Sequence, residues 1–138
     1  MTLFQQPLFI NLPTSDVARI RDFWTALGAG IQEEYSDPNL CVCVQLTESS
    51  YAMYLLPEHF DRFTDGRPTA DTHASVAVLN AVTVGTREQV DALADLAVQH
   101  GATEARIAAD VVEMMEAGGM YTREIIDPDG HQWEFGTA

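Results

Sequence analysis

Two stretches of this chain place apolar residues along one side of a helix. From Asp16 to Leu27 the apolar positions are Val17, Ile20, Phe23, Trp24 and Leu27, a single stripe on an amphipathic helix. Thr14, Ser15 or Asp16 can cap its start, and Gly28 stands where a left-handed residue would close it. From Arg87 to His100 the stripe returns as Val90, Leu93, Leu96 and Ala97, with Thr86 to cap and Gly101 to close. Val17, Ile20, Phe23, Gly28 and Ala29 match Val90, Leu93, Leu96, Gly101 and Ala102 at one fixed offset. The chain therefore reads as two copies of one plan.

Strand-like runs flank both helices. Leu8–Leu12 precedes the first, and Ile31–Tyr35, Leu40–Leu46 and Tyr51–Leu56 follow it, separated by the turn signals Asp37-Pro38-Asn39 and Glu48-Ser49-Ser50. Ala74–Val84 precedes the second helix. Glu104–Ile107, a polar stretch around Met115, Met120–Ile126 and His131–Phe135 follow, the last two joined by an Asp127-Pro128-Asp129-Gly130 turn. The expected fold class is α+β, with two βαβββ modules forming curled mixed sheets around a cleft. One domain is expected over 1–138, with module one about 7–57, a polar linker 58–72 and module two about 73–136. Glu58–Phe63 begins the linker as a helical turn. Each helix stripe covers one face of its sheet, so the opposite face must be buried elsewhere or bind something.

Hydrophobic residues make up 46% of the 138 residues, enough to fill a core. Asp plus Glu number 21 against 7 Lys plus Arg, a net charge of −14, and every cation is an arginine. Such a surface repels a phosphate backbone and an anionic leaflet, so neither nucleic acid nor a membrane is an expected partner. Without lysine, Schiff-base chemistry and a P-loop are excluded. Met1–Gln6 lacks the basic and apolar regions of a secretory leader, and no apolar run approaches the ~20 residues of a membrane span. Cys41 and Cys43 point the same way in a strand and read as small hydrophobes; a cytoplasmic location is expected.

The tail reads Met120-Tyr121-Thr122-Arg123-Glu124-Ile125-Ile126-Asp127-Pro128-Asp129-Gly130-His131-Gln132-Trp133-Glu134-Phe135. Together with Phe9-Ile10-Asn11-Leu12-Pro13 before Asp16 and Phe23-Trp24-Thr25-Ala26-Leu27-Gly28, it resembles the vicinal oxygen chelate superfamily. That group includes glyoxalase I, extradiol ring-cleavage dioxygenases and bleomycin- and fosfomycin-resistance proteins. The resemblance spans nearly the whole chain and implies paired βαβββ modules and a homodimer. It also implies a divalent metal held by one side chain from each of four strands, the last a glutamate matched by Glu134. The other positions fall at Phe9, near Tyr54, and near Leu79 (or Asn80, one place along). Phenylalanine and leucine ligate nothing, and one carboxylate cannot hold a divalent ion in a catalytic geometry. No cofactor is therefore expected, with a divalent metal at Glu134 as the alternative.

If Ile126 pairs with His131, Arg123 lies opposite Glu134, because paired strand residues keep a constant index sum. Tyr121, Arg123, Ile125, Gln132 and Glu134 then share one face, and Trp133 and Phe135 pack under a helix on the other. The Arg123–Glu134 pair reads equally as a structural ion pair or as a polar spot for a ligand; a one-residue slip would separate them. The expected ligand-binding set is Phe9, Asn11, Tyr54, Leu79, Tyr121, Arg123, Gln132 and Glu134, and no catalytic residue is identified. The histidines His59, His73, His100 and His131 form no helical metal pair, and Asp110–Glu116 reads as a solvated segment whose methionines could wall a pocket. Three functions follow: binding of a small, partly apolar molecule without a metal; a metal-dependent lyase, isomerase or dioxygenase using Glu134; or a structural or interaction role with a filled cleft.

Overall fold

Asp16 begins the first helix, its carboxylate accepting the Arg19 amide hydrogen at 3.0 Å. Thr86 does the same for the second through the Gln89 amide at 3.1 Å. In the computed structural model, which describes residues 2–138, these helices belong to two compact units, one ending at Ala70 and the other Asp71–Ala138. The first unit contains β1 (Leu8–Pro13), α1 (Val17–Ala26), β2 (Gly30–Ile31), β3 (Cys41–Thr47) and β4 (Ser50–Leu55), then the short helix α2 (Pro57–Phe60). The second contains β5 (Leu79–Thr83), α3 (Arg87–Gln99), β6 (Thr103–Ala105), α4 (Ala109–Ala117), β7 (Tyr121–Ile126) and β8 (Gln132–Thr137).

Both sheets are wired alike, in the orders β1-β4-β3-β2 and β5-β8-β7-β6. In each, the first strand runs parallel to the last and the remaining pairs are antiparallel. Strand alternation sorts the side chains into a face under the helix and an open face. Under α1, Val42, Val44, Ala52 and Tyr54 meet Ile20, Phe23 and Trp24, all at most 4% exposed. Under α3, Ile125, Trp133 and Phe135 are buried to the same degree.

The structure departs from expectation where local pairing fails. Strand Ile31–Tyr35 stops at Ile31; Glu33–Tyr35 instead coils into a 3-10 turn, held by the Ser36 hydroxyl on the Gln32 carbonyl at 2.7 Å and by an Arg21–Glu33 ion pair. The strand expected from Ala74 starts only at Leu79, because its partner β8 begins at Gln132, and among the described residues no strand pairs with 74–78. The acidic stretch Asp110–Glu116 is helical, as α4, with no buried residue. The buried stripe of α3 is Val90, Ala94 and Ala97, not Leu93 and Leu96, which line an outer hollow of about 440 Å³ with Val84, Gly85, Gln89 and Ala92. Alanines on the inner side leave the volume to Trp133 and Phe135 of the sheet.

Candidate functional site

In the first unit the sheet face away from α1 carries Phe9 and Asn11 from β1, Tyr51 and Met53 from β4, and, buried, Cys41 and Cys43 from β3, as the pairing of Phe9 with Tyr51, Asn11 with Met53 and Cys43 with Met53 requires. Phe9 stacks on Tyr51 with ring centroids 5.0 Å apart, and Tyr35 meets Phe9 edge-on at 6.3 Å. The thiols are not available chemistry. Cys43 is fully buried, and that burial pushes its pKa up to about 11; Cys41 is shifted the same way, chiefly by burial.

Beyond β4 the chain turns through α2, a 3-10 turn at Asp61–Phe63 and a tight turn at residues 64–67. Phe60 and Phe63, one helical turn apart, join Asn11, Leu55, Thr64 and Arg67 around a hollow of about 410 Å³. Four of these six lie in the segment 58–72 that the sequence suggested as a polar linker. The usable signal was the Phe60/Phe63 spacing followed by Asp65-Gly66.

The open face of the second unit carries Leu79 and Ala81 from β5, Gln132 and Glu134 from β8, and Glu124 from β7. The register corrects the expected one: Ile126 pairs with Gln132, so Arg123 faces Phe135 and Glu124 faces Glu134. The slip by one follows from the turn. Asp127 N–H donates to the His131 carbonyl at 2.8 Å, and the Asp127 carboxylate accepts the amides of Asp129 and His131, which keeps His131 inside the loop. Glu124, overlooked in the sequence, is nearly buried and accepts a hydrogen bond from the Gln132 amide. Burial, then the charge of Glu124, raises the pKa of Glu134, while the Thr122 hydroxyl pulls it down.

Tyr121 and Arg123 lie on the helix side and do not join Gln132 and Glu134. Arg123 donates two parallel bonds to Glu104, at 2.8 and 3.0 Å, and reaches Asp95 at 2.9 Å and Asp91 at 3.3 Å. Its pKa is raised, first by the Glu104 bonds. Tyr121 donates to Asp91 at 2.6 Å, which lowers the pKa of Asp91 and raises its own, and the Arg87 guanidinium lies over its ring. These residues pin α3 and β6 to the sheet. Tyr54 is likewise turned from the open face: it is fully buried, and its hydroxyl accepts the Trp24 indole hydrogen at 3.0 Å. The alternation that buries Tyr54 puts Met53 on the open side. Leu79 is exposed on the open face, and Asn80 is buried on the other.

The most distinctive motif is structural. Trp133 donates its indole hydrogen to Asp127 at 3.0 Å, and Gly130 adopts φ 90° with the Thr72 carbonyl oxygen only 2.3 Å from where a Cβ would stand. The Asp-Pro-Asp-Gly-His-Gln-Trp sequence thus builds the last hairpin and seats its tryptophan.

Phe9 and Met53 stand on the open face of the first unit and Leu79 on that of the second, and among the described residues no group of three or more His, Cys, Asp or Glu could hold a metal ion. Glu124 and Glu134, with Gln132, are the open-face donors of the second unit.

Two βαβββ modules, each with a helix on one sheet face and the other face open, define a vicinal oxygen chelate architecture. The family model of the Glyoxalase/Bleomycin resistance protein/Dioxygenase superfamily matches residues 6–135, and the chain belongs to that superfamily. Solved structures share the fold. A hypothetical protein from S. aureus is 21% identical with a TM-score of 0.74, over 99% of this chain and 96% of that one. A glyoxalase/bleomycin resistance protein/dioxygenase family enzyme from Burkholderia phytofirmans is 19% identical with a TM-score of 0.74, over 94% and 95%. A glyoxalase-related enzyme from Fulvimarina pelagi is 20% identical with a TM-score of 0.75, over 98% and 89%. No curated protein matches the chain. Among the described residues, no helix is long and apolar enough to cross a membrane.

Proposed function

We propose that this chain binds a small, partly apolar organic molecule on its open sheet faces and does so without a divalent metal. The observation that carries the reading is the hollow of about 410 Å³ whose walls are Leu55, Phe60 and Phe63 and whose polar groups are Asn11, Thr64 and Arg67. A concave, mostly apolar surface with a few polar groups is what small-molecule sites are built from. Phe9 and Asn11 stand on that open face in the first unit, and Leu79, Gln132 and Glu134 on the open face of the second. Donor chemistry supports the metal-free reading: apolar side chains at Phe9, Met53 and Leu79 offer a divalent ion no oxygen or nitrogen.

The test is a thermal-shift screen of chelator-treated protein against small aromatic and aliphatic compounds. A true ligand at about 100 times its Kd adds ~2.7 kcal/mol of stability. Its affinity should fall in Phe60→Ala and Asn11→Ala and should not change when zinc, nickel or iron is added. The reading is overturned if no compound stabilises the protein, if hits are indifferent to both substitutions, or if dialysis against those metals loads the chain stoichiometrically and binding then requires the ion.

A further inference from the structure

Resting on that reading, we infer that the hollow of the first unit selects carboxylate-bearing molecules, with Arg67 as the residue that recognises the carboxylate and Phe60, Phe63 and Leu55 holding the apolar body.

The arginine is held in place by its own turn. Thr64-Asp65-Gly66-Arg67 places both central residues at positive φ, 54° for Asp65 and 74° for Gly66, the conformation of a primed turn for which Asp-Gly is a preferred pair. The Arg67 amide donates to the Thr64 carbonyl at 3.1 Å, the Thr64 hydroxyl donates to the Arg67 carbonyl at 2.8 Å, and the Arg67 Nε–H returns to the Thr64 carbonyl at 3.2 Å. That last bond fixes the near edge of the guanidinium and leaves its Nη1 and Nη2 hydrogens, the two that a carboxylate takes side by side.

Three other arginines are committed elsewhere. Arg21 pairs with Glu33, Arg123 with three carboxylates, and Arg87 lies 4.3 Å from the centre of the Tyr121 ring. Arg67 makes no ion pair among the described residues, and it lines a hollow walled in part by Leu55, Phe60 and Phe63. The neighbouring Asp61 accepts a hydrogen bond from the Thr69 hydroxyl. On a chain of net charge −14, anions are repelled at long range. Preference for one therefore has to arise from local contact, and Arg67 against aromatic walls supplies it.

The experiment uses matched acid–amide pairs, from benzoate and benzamide to naphthalene-2-carboxylate and its carboxamide, and medium-chain fatty acids with their amides. Binding to the full chain is measured by calorimetry for the wild type, Arg67→Gln, Arg67→Lys and Phe60→Ala. The wild type is expected to hold acids about tenfold more tightly than amides, a gap of roughly 1.4 kcal/mol. Arg67→Gln should erase the gap by weakening the acids alone, Arg67→Lys should keep part of it, and Phe60→Ala should weaken acids and amides together. If both classes bind the wild type equally, or the preference survives Arg67→Gln, carboxylate selection is wrong while small-molecule binding stands. If no member of either set binds, the reading of the hollow as a ligand site falls, and this inference with it.

Discussion

Arg123 and Glu134 provide the sharpest test of the sheet register. In the structure they lie on opposite faces, and Arg123 instead grips Glu104 with two parallel hydrogen bonds of 2.8 and 3.0 Å. The Arg123 side chain is 20% exposed and that of Glu104 49%. Exposed ion pairs contribute about 0.2–1 kcal/mol, and a two-pronged pair with one sheltered partner belongs at the upper end, near ~1 kcal/mol. Arg123 and Glu134, separated by the sheet, should couple by less than about 0.3 kcal/mol. The assay is urea unfolding of two double-mutant cycles, Arg123→Gln with Glu104→Gln and Arg123→Gln with Glu134→Gln. A coupling above about 0.5 kcal/mol to Glu134, with none to Glu104, would show that β7 and β8 are paired one residue out of the described register.

Glu134 carries a pH prediction. Its folded pKa lies above the ordinary carboxyl range, so the native state holds that proton more tightly than the unfolded chain does. The resulting stabilisation is complete below the unfolded pKa and is lost as pH rises through the raised value. Glu134→Gln should therefore stabilise the protein at neutral pH, by about 0.2–1 kcal/mol for two like charges facing across strands, and the gain should vanish near about pH 4. Gly130→Ala meets both a left-handed backbone and the Thr72 carbonyl, and should cost about 3 kcal/mol or more, read as a lost or strongly shifted melting transition. Tyr54→Phe leaves the buried Trp24 indole hydrogen without its acceptor and should cost about 1–3 kcal/mol in chemical denaturation, while ligand affinity stays unchanged. Cys43 should resist iodoacetamide at mildly alkaline pH in the native protein and react once the chain is unfolded, as mass spectrometry would show.

The duplicated plan was legible because it depends on local chemistry. Asp16 and Thr86 cap, Gly28 and Gly101 close, and the Asp127–Gly130 turn announces itself. What failed was pairing across a distance. A two-residue period reports which residues share a face along one strand, but not which residue stands opposite, and the Asp127 turn shifted that by one. Tyr121 and Arg123 consequently changed sides, and Glu124 went unnoticed. Tyr54 was misplaced for a related reason: neither it nor Met53 has a composition that reveals which one points at the helix. The hollow was hidden because its residues come from a segment whose polarity resembles a linker, and only the fold brings Asn11 beside Arg67.

The wiring of each module has a consequence for how the protein tolerates trimming. β8, the last strand, lies between β5 and β7, at the interior of its sheet. A proteolytic cut that removed β8 would therefore not shave off a dispensable margin. Losing Gln132–Thr137 would strand β5 without a neighbour and expose Ile125, so the second unit cannot complete its sheet until these residues have been synthesised.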